Sequence, residues 1–243
     1  MAQGGSLLLM NPSLRSSPLN NEKLTHVGHS LLSFSALLFA LLTSSLAGAQ
    51  SDVDLSMESA HNVNEGVLKF LEKAPAKPIH HHHNQILIDQ NSLRSGWVSL
   101  KQCHTHLDPV PRAQITFREG FVRDLRVDIS TKIEQAWIKD SSVQLINVEP
   151  GARLCLSAQI RAFRNTGNGY YNLTNGPYMR KFLDGYYPMR VTLAIDYPPQ
   201  TLELIDIAPQ GQPGFKIDTQ KGAIRIDTVF EGELQTLIQF EKL

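Results

Sequence analysis

The sequence has no surplus of charge: 23 Lys and Arg residues stand against 23 Asp and Glu across 243 residues. Without a basic excess, the composition does not point to nucleic acid or to an anionic membrane surface as a partner. Cysteine is nearly absent, at two residues, and neither a Cys-x2-Cys nor a His-Glu-x-x-His zinc spacing occurs. Catalytic signatures are missing too. There is no Gly-x-Ser-x-Gly elbow, no phosphate-binding glycine loop and no metalloprotease helix. No internal repeat is present. Hydrophobic residues make up 42% and charged residues 19%, a globular rather than disordered balance, and the length suits one or two ordinary domains.

One long apolar run exists, over 31–46, interrupted only by small hydroxyl residues. It is short for a membrane span, which needs about 20 residues. A polar segment with Arg15 and Lys23 precedes it, and Ala47-Gly48-Ala49 follows. This is the pattern of a secretory signal peptide over 1–49, with cleavage expected after Ala49. The polar lead-in is long, so Met10 is an alternative start, and an uncleaved N-terminal anchor is the alternative to cleavage. The expected location is periplasmic or secreted, with no membrane span in the mature chain. Removing 1–49 takes Arg15, Lys23 and Glu22 from the balanced count and leaves a net charge of −1. Both cysteines, Cys103 and Cys155, remain. In an exported chain they are expected to form one disulfide, closing a loop of about 50 residues and stabilising by about 2–4 kcal/mol.

Residues 50–84 read as an arm and linker. They contain a short helical candidate over 64–73, with Val67, Phe70 and Leu71 on one face, ended by the proline-containing stretch 74–78. From 85 onward the signals are for strands. Residues 97–103 alternate. Segments 113–118 and 121–129 flank Glu119-Gly120 as a hairpin turn. Segments 133–138 and 142–148 flank Lys139-Asp140-Ser141, and Glu149-Pro150-Gly151 is a turn by composition. Residues 153–163 set Leu154, Leu156, Ala158, Ile160 and Ala162 against Cys155, Ser157, Gln159 and Arg161, a half-buried antiparallel strand. Seven short strands in about 80 residues predict an all-β fold, an antiparallel β-sandwich of immunoglobulin-like size over 85–165. The parity of Cys103 and Cys155 puts the disulfide at a sheet edge or on an outer face. A second, smaller β unit is expected over 166–243. It opens with a helical turn over 178–184 between Pro177 and Gly185, and continues with strands over 189–197, 201–208, 215–218, 223–230 and 233–240.

Two patches concentrate unusual chemistry. Six of the seven histidines beyond residue 49 fall between 80 and 106: His80, His81, His82, His83, His104 and His106. Neutral imidazole is a ligand for zinc or copper. If the stretch is a hairpin, strand spacings of about 4.8 and 6.6 Å let histidines from both arms converge on one ion, with Asp108 as a further ligand. The alternative is a solvated tether followed by a loop. In the second patch all six tyrosines lie between 170 and 197. Tyr170, Tyr171, Tyr178, Tyr186 and Tyr187, with Asp184, are candidates for a ligand-binding surface. Their commoner use is to pack the two β units together.

Three functions are therefore in play. The first is an exported β-rich binding or structural module acting through a protein or glycan partner. The second is an extracytoplasmic zinc- or copper-binding protein. The third is a hydrolase at the tyrosine-rich segment, with Asp184 as acid or base.

Overall fold

The computed structural model describes residues 7–10 and 64–243. The apolar run 31–46, the expected cleavage point at Ala49, and His61 lie outside the described residues. In chain order the elements are β1 (Leu7–Met10), β2 (Lys69–Phe70), β3 (His81–Leu87), the single-turn helix α1 (Ser92–Ser95), β4 (Val98–Thr105), β5 (Val110–Thr116), β6 (Val122–Lys139), β7 (Ser142–Ile160), β8 (Phe163–Gly167), β9 (Tyr170–Tyr178), β10 (Lys181–Phe182), β11 (Gly185–Tyr186), β12 (Met189–Asp196), β13 (Leu202–Ala208), β14 (Phe215–Gln220), β15 (Ala223–Glu231) and β16 (Leu234–Lys242). The fold is all-β, as the alternation predicts. Among the described residues no helix is long and apolar enough to cross a membrane.

The strands form a ten-stranded sheet in the order β1-β5-β7-β4-β3-β12-β15-β14, with β6 also on β7 and β2 on β15. A four-stranded sheet runs β13-β16-β9-β8, and β10-β11 make a small hairpin. The pairings are antiparallel apart from β3 with β12, which is parallel. That parallel pair carries the large sheet from the region read as the sandwich into the region read as the second unit. The latter supplies β12, β14 and β15 to the large sheet and β9, β13 and β16 to the small one.

Strand alternation builds the layers. β12 buries Met189, Val191, Leu193 and Ile195 while Arg190, Thr192, Ala194 and Asp196 point away. β16 buries Leu234, Thr236, Ile238 and Phe240. The inward faces of both sheets belong to one buried cluster, and Tyr197, after β12, sets its ring 5.0 Å from Phe240 on β16.

β6 and β7 are longer than the sequence suggests, 18 and 19 residues. Glu149-Pro150-Gly151, expected as a turn, lies inside β7. Proline cannot donate to a ladder, so the chain accommodates it as a bulge rather than an end. Register slips between Thr131 and Ile133 on β6, where Lys132 has φ 56° and Gly151 φ 75°. On the side away from β6, the first half of β7 pairs with β5 and the second half with β4. The pair is folded back on itself at this point. Phe117 N–H donates to Ser141 O just before β7, and Arg161 N–H just after β7 donates to Phe121 O. Residues 117–121 reach at most about 14 Å, whereas a straight strand of this length spans about 60 Å. The expected hairpin about Glu119-Gly120 is thereby corrected: β5 and β6 each pair with β7, and the short connection crosses between the two ends of β7.

Two helical expectations are also corrected. Residues 64–73 hold β2 and irregular chain. Gly66 has φ 115°, outside any helix, and Phe70 pairs with Phe230 and packs 4.9 Å from the ring of Phe215. Four apolar residues in ten cannot outweigh that edge contact. Residues 178–184 complete β9 and form the β10-β11 hairpin. Tyr178 stays extended because its ring is buried between the sheets. The preceding Gly176 (φ 98°) is required there, since a Cβ would lie 2.5 Å from the Leu234 carbonyl.

Candidate functional site

The histidine run is the start of β3, not a tether, and alternation splits it. His80 and His82 point into the sandwich, where each is 2% exposed. His81 and His83 point to the outer face. β3 and β4 pair so that His82 lies opposite His104, and their rings are 4.4 Å apart. The hairpin thus does bring the two histidine groups together, but only for His80, His82 and His104. His106 has φ 53° in the turn after β4, which breaks the alternation and leaves it exposed. Asp108, the further ligand expected, is held by Arg180 in a two-pronged ion pair with Nε 2.9 Å from Oδ2.

The buried three lie in two hydrogen-bonded chains, one through His104 and His80 and one through His82, which touch through the His82 and His104 rings. Gln102 Nε2 lies 2.7 Å from His104 Nε2. An amide nitrogen only donates, so that imidazole nitrogen accepts and the proton of His104 sits on Nδ1. From there it donates to His80 Nε2 at 2.9 Å, which leaves the His80 proton on Nδ1. That atom has no protein partner. His82 Nε2 donates to Asn84 Oδ1 at 2.9 Å, and Asn84 Nδ2 donates to the Tyr178 hydroxyl at 2.8 Å, linking the large sheet to β9. The Tyr178 ring meets His82 edge-on at 5.0 Å. Burial drives the titration of all three. His80 is lowered to about 3 by burial, then by Arg180. His82 is lowered to about 3 by burial, then by His80. His104 is held well below the usual imidazole range by burial and by His82. Burial pushes the Tyr178 hydroxyl up. All four are neutral near pH 7. Among the described residues no group of three or more His, Cys, Asp or Glu side chains is arranged to hold a metal ion. His80 Nε2 and both nitrogens of His104 are engaged with one another and with Gln102, and His82 Nε2 is engaged with Asn84.

The outer face carries a groove of about 440 Å³. Its floor is apolar: the Cys103–Cys155 disulfide and Ile129. Cys103 and Cys155 are register partners on β4 and β7. The bridge therefore lies on the outer face, in the middle of the sheet rather than at an edge. Around the floor stand His81, His83, Gln85, Lys101, Asp128 and Arg153. His81 Nε2 and His83 Nδ1 both meet Thr192 Oγ1. His81 is lowered to about 4 by burial and Arg190, and His83 is lowered by burial and Arg225. Asp128 Oδ1 accepts from Ser157 Oγ at 3.0 Å. Strand parity already placed Cys103 and Cys155 at an edge or on an outer face. The approach of Asp128 and Ile129 from β6 had no local signal.

The tyrosines do not form one site. Tyr171 stacks on Phe163 at 5.1 Å and Tyr178 is in the core. Tyr186 donates to Glu233 Oε1 at 2.6 Å. Tyr170 is exposed. Tyr187, at the β10-β11 hairpin, donates to exposed Asp184. The buried rings join parts of the fold, the packing role anticipated from the sequence. Compared with known proteins, the chain matches no family model, and no curated protein matches it at a significant level.

Proposed function

We propose that the chain is an exported binding module that acts through a protein or glycan partner, one segment of which occupies the groove on the outer face of the large sheet. The groove carries this reading. An apolar floor ringed by a few hydrogen-bonding and charged groups, at about 440 Å³, has the size and make-up of a site for one small ligand or one segment of a larger one. Its groups stand on paired strands stapled by a disulfide, so they are held in place before a partner arrives. The histidines favour binding over metal handling, because the three that converge are buried in the core, His80 bonded to His104 and His82 to Asn84. Asp184 sits exposed at a hairpin rather than in a closed cleft, which gives a hydrolase little to work with. The disulfide supports an oxidising compartment.

Two measurements test this. Expressed with its own leader in a bacterial host, the exported chain is expected to begin at Gln50, and N-terminal sequencing that finds residues 1–49 still attached would exclude cleavage. For the groove, wild type and Gln85→Trp, whose indole fills the cavity, are screened on a glycan array and against a displayed peptide library. Expected is a set of ligands bound by wild type and lost by the variant at unchanged thermal midpoint. Ligands that the variant retains would put the partner elsewhere.

A further inference from the structure

At one corner of the molecule three chain segments meet around a second cavity, of about 330 Å³. It shares no residue with the groove. The α1 turn supplies Arg94, the chain before β6 supplies Phe121, and the β7–β8 junction supplies Arg161, Arg164 and Asn165. The segments are tied by backbone bonds: Phe163 N–H to Gly96 O at 3.1 Å and Arg161 N–H to Phe121 O at 2.9 Å. No carboxylate lines the cavity. Elsewhere three arginines are closely ion-paired, Arg180 with Asp108, Arg190 with Asp227 and Arg225 with Asp196. Among the described residues Arg94, Arg161 and Arg164 are in no ion pair. Arg94 has one amino group directed by Asn91 Oδ1 at 2.7 Å. Two further guanidiniums flank the corner, Arg118 over the Phe121 ring at 4.0 Å and Arg123 over Trp97 at 4.4 Å, the latter also 3.9 Å from the Asp124 carboxylate.

In a chain of zero net charge this positive excess is a matter of placement, not composition. Like charges gathered around a concavity repel one another until an anion joins them. A single guanidinium fork already satisfies both oxygens of a carboxylate. Three around one cavity match a group with three terminal oxygens, which carries nearly two negative charges in a phosphate monoester and one in a sulfate monoester. The Phe121 ring adds an apolar surface beside them.

We propose that this cavity binds a phosphate or sulfate monoester, its tetrahedral group among Arg94, Arg161 and Arg164 and its organic part against Phe121. The inference stands apart from the groove, and either can fail alone. The test titrates the full chain by calorimetry, in a buffer free of both anions, with phenyl phosphate, phenyl sulfate, inorganic phosphate, inorganic sulfate and acetate. Wild type is compared with R161Q/R164Q, with R94Q, and with R190Q as a control whose arginine is paired on another face. The proposal expects both esters to bind wild type and R190Q alike. It expects R161Q/R164Q to lose about tenfold or more, and R94Q to lose affinity in the same direction, since each charge-assisted hydrogen bond is worth roughly that much. An unchanged thermal midpoint shows that the variants are folded. Equal ester affinity in wild type and R161Q/R164Q overturns the site. Acetate binding as tightly as the esters overturns the tetrahedral assignment, and inorganic ions binding as tightly overturn the role of Phe121.

Discussion

Stability is expected to fall steeply as the pH drops below 6.5, well before ordinary carboxylates titrate. His80, His82 and His104 are buried and neutral, with native pKa values of about 3 for the first two and well below 6.5 for the third. Unfolded, each returns to 6.5. Above that value both states are neutral and the groups add nothing to the pH dependence. Between 6.5 and about 3 the unfolded chain takes up protons that the native chain refuses, so stability is lost as pH falls and the loss levels off below about 3. Each group contributes up to about 1.4 kcal/mol per pH unit. His80 and His82 together remove about 4 kcal/mol by pH 5, and His104 adds to the loss in the same direction, which approaches a domain's whole stability. Urea unfolding at pH 7.5, 6 and 5 reads this directly. A midpoint that stays level down to pH 5 would show that the three imidazoles are not held neutral in the core.

The second large effect is expected from Asn84→Leu. Asn84 is 5% exposed and joins the sheets by accepting from His82 Nε2 and donating to the Tyr178 hydroxyl. Leucine has about the same bulk but leaves both partners buried and unmatched, at about 1–3 kcal/mol each. A loss of about 2–6 kcal/mol at pH 7 is expected. Tyr178→Phe alone removes the acceptor of Asn84 Nδ2 and should cost about 1–3 kcal/mol. In the Asn84→Leu background it should cost much less, because the hydroxyl it removes is already orphaned. Denaturant midpoints of the four proteins form a double-mutant cycle. Strictly additive losses would mean that the link between the sheets carries no energy.

Both effects rest on histidines whose parity was legible and whose surroundings were not. Alternation is local. It shows from the residues alone that His80 and His82 share one face, that His81 and His83 share the other, and that Cys155 stands opposite Leu154 and Leu156. It does not show which face is inside when both faces of a run carry the same residue. The interior was chosen by partners far away in sequence. His104 is 24 residues from His80, Tyr178 is 94 from Asn84, and Thr192 is 111 from His81. The helix expected over 64–73 failed for a similar reason. Its weak apolar periodicity competed with an edge contact to Phe230 and Phe215 that no local window contains.

The sequence by itself determined the all-β class, the two-residue period of several of the longer strands, a place for the disulfide at a sheet edge or on an outer face, and the balance of charge. These follow from side-chain order along an extended chain and need no knowledge of neighbours. Only the tertiary structure decided that β7 passes through Glu149-Pro150-Gly151 and folds back, that β3 runs parallel to β12, and that arginines from α1 and from the β7–β8 junction share one cavity. Each depends on which strands pair and in what register. Pairing is set by the burial of all the strands at once, so no single stretch of the chain records it.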